Sequence, residues 1–108
     1  MDSIIGIGGV GCRIAKKFEE YSQYSVYLVD DDEWEGKNTL VLPKQSSVED
    51  YERKCPSVKK FFTKLTDQSL VVVSGASLVS ASTLAILEQI APKTNLSVLY
   101  VQPEVDLL

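Results

Sequence analysis

The chain contains no histidine, and only two cysteines, Cys12 and Cys55, in 108 residues. Without histidine the commonest general base is missing, and with it every triad that uses one. A zinc set cannot be completed either, and two cysteines make no disulfide framework. Both are expected as free thiols in a reducing compartment. Cys12 has no base near it in sequence and reads as a core or near-core residue. No apolar run approaches the roughly 20 residues of a membrane helix. The start, Met1-Asp2-Ser3 followed by Ile4-Ile5, has neither the basic head nor the long apolar core of a signal peptide. A cytoplasmic domain with no membrane partner is the expectation. Clustered Lys and Arg are also lacking and the net charge is −4, so no nucleic-acid partner is expected.

What is present is an ordinary globular composition, 44% hydrophobic and 24% charged, on a length that suits one domain over residues 1–108. Ser3 to Ile7 is wholly apolar beyond its first residue, as in a strand covered on both faces. Val10, Ile14, Phe18 and Tyr21 then recur at helical spacing. Val26 to Val29 reads as a second strand, and Thr39 to Leu42 as a short extended piece. Ser46 and Glu49 form a capping-box pattern for a helix through about Lys54. Pro56 suits the first turn of a further helix with Val58, Phe61, Phe62 and Leu65 on one face. Leu70 to Val73 is the third main strand, a helix follows from about Val79 to Ala91, and Leu96 to Val101 is the fourth, stopped by Gln102-Pro103.

The alternation of strand and helix predicts an α/β fold of the Rossmann-like, three-layer α/β/α kind. Its mainly parallel sheet would have its four main strands in the order 2-1-3-4. The apolar Val105, Leu107 and Leu108 either pack back on the sheet or lead into a longer protein, and the second is expected.

Two loops carry the candidate chemistry. Gly6, Gly8 and Gly11 fit the G-x-G-x-x-G spacing between a strand and a helix. One glycine permits the turn, one the approach of backbone to phosphate, and one the close packing of helix on strand. Gly8, Gly9, Val10 and Gly11 are therefore candidate phosphate contacts at a helix start. The second loop runs from Ser74 to Ser82. The amides of Gly75, Ala76 and Ser77 would form an anion nest, and the hydroxyls of Ser77, Ser80 and Ser82 would donate to phosphate oxygens. An equal reading is a helix N-cap by Ser77 or Ser80 with no ligand.

Asp30 ends the second strand 19 residues past Gly11, where dinucleotide-binding folds hold a ribose hydroxyl. It stands equally as part of a solvated acidic turn, Asp30 to Glu33. Four adjacent carboxylates repel one another, which a bound Mg²⁺ would relieve. Trp34 and Tyr51 read as packing or interface residues.

Ile4-Ile5-Gly6-Ile7-Gly8-Gly9-Val10-Gly11 and the helix that continues from it resemble the first phosphate loop and first helix of the tubulin/FtsZ superfamily. Ser69 to Gly75, Ile86 to Ile90, Leu96 to Val101 and Pro103 follow that family's strand, signature loop, helix, strand and proline. Ser80 and Ser82 fall where its two signature threonines stand. The likeness covers the two ends of the chain and leaves the middle unmatched. Leu78 and Val79 place bulk where the family has glycine, and Cys12-Arg13 replaces its polar residue. The resemblance implies a domain that binds GTP or GDP, belongs to a self-associating or regulatory protein, and lacks the acid needed for hydrolysis.

A second resemblance is to the ThiF/E1-type adenylating enzymes, through the same glycine loop and Asp30, Asp32 and Asn38, which implies ATP with Mg²⁺. The arginine of that pattern is replaced by Thr39. An NAD-binding enzyme domain, and a nucleotide fold kept as an interaction module with its pocket filled by side chains, complete the alternatives.

Overall fold

The computed structural model describes residues 2–102. Within them lies one five-stranded sheet, all parallel: β1 (Ser3–Ile7), β2 (Ser25–Asp30), β3 (Thr39–Val41), β4 (Gln68–Ser74) and β5 (Asn95–Val101), in the order β3-β2-β1-β4-β5. The four main strands keep the expected relative order. The extended piece after Asn38 adds a short fifth strand at the β2 edge. The helices are α1 (Gly8–Lys16), α2 (Val48–Arg53) and α3 (Thr83–Ile90), with 3-10 turns at Lys17–Glu20, Leu78–Ser82 and Ala91–Lys93.

Chain order and handedness dictate which face each helix covers. From β1 the chain steps one way to β2; from β4 it steps the opposite way to β5. Right-handed crossovers in opposite directions must lie on opposite faces. Cys12 and Ala15 of α1 accordingly pack with Ile4, Val26, Leu28 and Val72 on one face. Tyr51 of α2, Phe62, Val79 and Ile86 and Ile90 of α3 pack with Ile5, Ile7, Tyr27, Val29, Val71 and Val73 on the other. The alternation of even and odd strand residues between two apolar layers explains why β1 and β4 show no polar face.

Several element boundaries differ from the expectation. The first helix stops at Lys16 and tightens into a 3-10 turn. The cap of α2 is Ser47, whose hydroxyl accepts from the Asp50 amide at 3.1 Å, one residue later than the box at Ser46. No regular helix forms between Pro56 and β4. Residues 59–64 are turns, because Phe62 and Val58 already reach the core through one α-turn, Phe62 N–H to Val58 C=O at 3.2 Å. The helix expected from Val79 begins as a 3-10 turn, and Pro92 lies just past α3 in the turn that follows it. The expectations for Pro103, Val105, Leu107 and Leu108 lie outside the described residues.

Candidate functional site

β1 is the switch point of the sheet, with β2 on one side and β4 on the other. Ligands of open parallel sheets bind outside the carboxyl ends of the strands at such a point. Register brings the expected residues to one level there. Ile7 pairs with Val29 and with Val73, so Gly8, Asp30 and Ser74 stand at one level at the carboxyl edge of the sheet.

The glycines divide the labour differently from the motif's usual assignment. Gly8 makes the turn, with φ of +80°, a left-handed backbone that favours glycine. Gly6 and Gly11 allow α1 to lie on the sheet. A Cβ on Gly6 would stand 2.6 Å from the Gly11 carbonyl oxygen, and one on Gly11 would strike the carbonyl oxygen of Val72. Gly9 meets nothing within 4 Å and faces open space. Ile7, the residue before α1, supplies no side-chain cap, and the first turn carries no acid. The start of α1 thus presents first-turn amides, the positive end of a helix dipole and no competing carboxylate.

The second loop lies against the first. The positions nearest a Cβ on Gly8 are Ser77 Oγ at 3.2 Å and a Val79 methyl at 3.3 Å. Val79 is buried, whereas Gly75, Ala76, Ser77 and Leu78 are exposed. The other hydroxyls are engaged within the protein. Ser80 donates to the Ser77 carbonyl at 2.7 Å, and buried Ser82 donates to the Tyr51 carbonyl at 3.0 Å. The Ala76 amide donates to Ser74 Oγ at 3.3 Å. Of the three serine hydroxyls, only that of Ser77 stands beside the glycine loop. Neither Ser77 nor Ser82 caps the helix that follows it through its side chain. Gly75 has its own steric reason, since the hydroxyl of Tyr100 lies where its Cβ would be. No sequence signal points to that contact.

Asp30 is not a solvated turn residue. It is buried, and its two carboxylate oxygens accept from the Asp31 amide and from Trp34 Nε1, each at 2.8 Å. Burial pushes its carboxyl above the usual range, against the two hydrogen bonds. Cys12 is buried behind it, its thiol facing the carbonyls of Gly6 at 3.5 Å and Val29 at 3.4 Å. Burial, and then the nearby Asp30 charge, push that thiol up to about 12.

One oxygen from each of Asp30, Asp31 and Asp32 lies within 4.8 Å of the others, a spacing a cation would accept. The donors already present argue against one. Lys44 Nζ stands 3.0 Å from Asp32 and 3.8 Å from Asp31, and Tyr51 Oη donates to Asp31 at 2.6 Å. A Mg²⁺ would have to displace the ammonium, so the residues do not fit a resident metal. The acidic run instead ties α2 to the end of β2.

A cavity of about 580 Å³ lies at the opposite, amino-terminal edge, between Glu19, Tyr21, Tyr24, Lys37 and Asn38. Of the candidate site residues it contains only Asn38, whose side-chain amide donates to the Val26 carbonyl at 3.1 Å. No helix among the described residues is long and apolar enough to cross a membrane. Compared with protein-family models, curated proteins and solved structures, the chain matches none.

Proposed function

We propose that this domain binds a nucleotide through its phosphates, which rest on the first turn of α1 between Gly9 and Ser77, with GDP as the preferred ligand. The observation that carries the reading is the uncapped, acid-free start of α1 at the switch point, with open space over Gly9 and none over Gly6 or Gly11. Amide donors aligned with a helix dipole favour an anion there. The hydroxyl of Ser77 supplies a donor from the facing loop. Guanine is favoured by the tubulin/FtsZ resemblance of the two loops. The ATP–Mg²⁺ and NAD readings are weakened because Asp30, Asp31 and Asp32 already have internal partners. Val79 and Ser77 over Gly8 shorten the space beyond the first phosphates, which favours a diphosphate over a triphosphate.

The same crowding supports a second reading, an interaction module whose own side chains close the pocket. Thermal unfolding with GDP, GTP, ATP, NAD and pyrophosphate separates the two. A ligand at 100 times its dissociation constant adds about 2.7 kcal/mol, which raises the midpoint of a domain this size by roughly 10 °C or more. Gly9→Asp is the diagnostic variant, because the position is open at Cβ and sets a carboxylate in the first turn of α1, where the anion would bind. It should abolish the nucleotide effect and leave the unliganded midpoint unchanged or higher. No shift with any nucleotide would favour the interaction module.

A further inference from the structure

Among the described residues β5 is an edge strand. Its seven residues, Asn95-Leu96-Ser97-Val98-Leu99-Tyr100-Val101, contain no charge, no proline and no glycine. Natural edges are blunted by such residues, by brevity or by cover, since an open row of N–H and C=O groups templates another strand. The opposite edge shows the contrast. β3 is only three residues long, against the seven of β5. Among the described residues β5 pairs with β4 alone. Val98 is 49%, Leu99 47% and Tyr100 56% exposed, so apolar side chains stand open on both faces of the strand.

We infer that this edge pairs with β5 of a second copy of the chain, antiparallel about a two-fold axis at Val98, to give one continuous ten-stranded sheet. The inference stands apart from the nucleotide reading and uses the other end of the sheet. In that register the apolar residues of one face meet one another. Val98 faces Val98, Leu96 faces Tyr100 and Ser97 faces Leu99. Directly opposed residues share a face, so Leu96, Val98 and Tyr100 of both copies form one apolar row. That row continues the layer of Val71 and Val73, the β4 partners of Val98 and Tyr100. A closed two-fold contact needs a self-complementary patch. Each chain carries a net charge of −4, and the uncharged strand is a place where two such molecules meet without opposing like charges.

Light scattering behind a sizing column, from micromolar to millimolar, should give twice the 11.9 kDa of one chain. Val98→Lys, which sets two ammonium groups face to face, should give the single mass with the circular dichroism spectrum retained. Cysteine trapping makes the register testable without weakening the strand. In a Cys55→Ser background, Val98→Cys should oxidise to a covalent dimer, because opposed Cα atoms lie about 4.5–5.5 Å apart, within disulfide range. Asn95→Cys should not, because its two copies would be about 20 Å apart along the strands. A monomer at all concentrations overturns the inference. So does a dimer indifferent to Val98→Lys, equal trapping at positions 95 and 98, or open-ended aggregation in place of a dimer.

Discussion

Gly11 of α1 lies directly against the carbonyl oxygen of Val72 in β4, with no room for a Cβ between them. Through that contact the helix that follows β1 sits on its neighbour β4, and the start of α1 is held beside the loop after Ser74. The glycine loop is therefore first a packing device, and any ligand would use what the packing leaves exposed.

Substitutions in the loop should separate accordingly. Gly11→Ala forces a methyl into backbone and should destabilise by about 3 kcal/mol, the upper end for overpacking. Gly6→Ala should be comparably harmful. Gly9→Ala should be neutral or stabilising by up to about 1 kcal/mol, because the position is open and helical. Urea unfolding of the three variants checks the order.

The two thiols should react very differently. Cys12 is buried and its thiol is held protonated up to about 12, whereas Cys55 is half-buried. Burial raises the Cys55 thiol as well, so even this one should react slowly. A thiol reagent near neutral pH should modify one cysteine in the folded protein, Cys55, and both in denaturant. Mass spectrometry of the labelled peptides identifies the sites.

Asp30 should make the protein relatively more stable in acid. Its folded-state carboxyl is raised by burial, so the native state holds this proton to higher pH than the unfolded chain does. The stabilising contribution is complete below the unfolded value and is lost as pH rises through the folded one. The stability difference between wild type and Asp30→Asn should therefore shrink, or change sign, as pH rises from about 4, near the unfolded carboxyl value, to neutrality. Denaturant unfolding of both proteins across that interval measures it.

Tyr51→Phe removes the 2.6 Å hydrogen bond to Asp31 while keeping the ring in the core. A hydrogen bond to a charged group contributes about 1.5–3 kcal/mol, and Asp31 keeps Lys44 and some solvent as alternatives. The expected loss is about 1–2 kcal/mol. A matching change in the thermal midpoint, with the far-UV spectrum unchanged, is the check.

The parallel sheet was legible because its cause is local. Ile4-Ile5, Val26 to Val29 and Val71 to Val73 have no polar face, and the first and last of them are followed by small turn residues and a helical stretch. The switch point follows from their alternation and from handedness. Val58, Phe61 and Phe62 also announced a buried face, although the backbone that delivers it is a run of turns. Periodicity reports which side chains are buried, and not which hydrogen bonds carry them there.

The roles of single polar residues were decided only by tertiary structure. Whether Ser82 faces a ligand or the Tyr51 carbonyl depends on α2, 31 residues away in sequence. Whether Asp30 is free depends on where Trp34 folds back, and whether Asp31 and Asp32 can hold a cation depends on Lys44. Gly9 and Gly11 are the same residue type two positions apart, yet one faces open space and the other a carbonyl. The sequence alone determines which segments are strands, which faces are apolar and where backbone can turn, since these are properties of neighbours along the chain. Which donor reaches which acceptor is set by segments that meet only on folding.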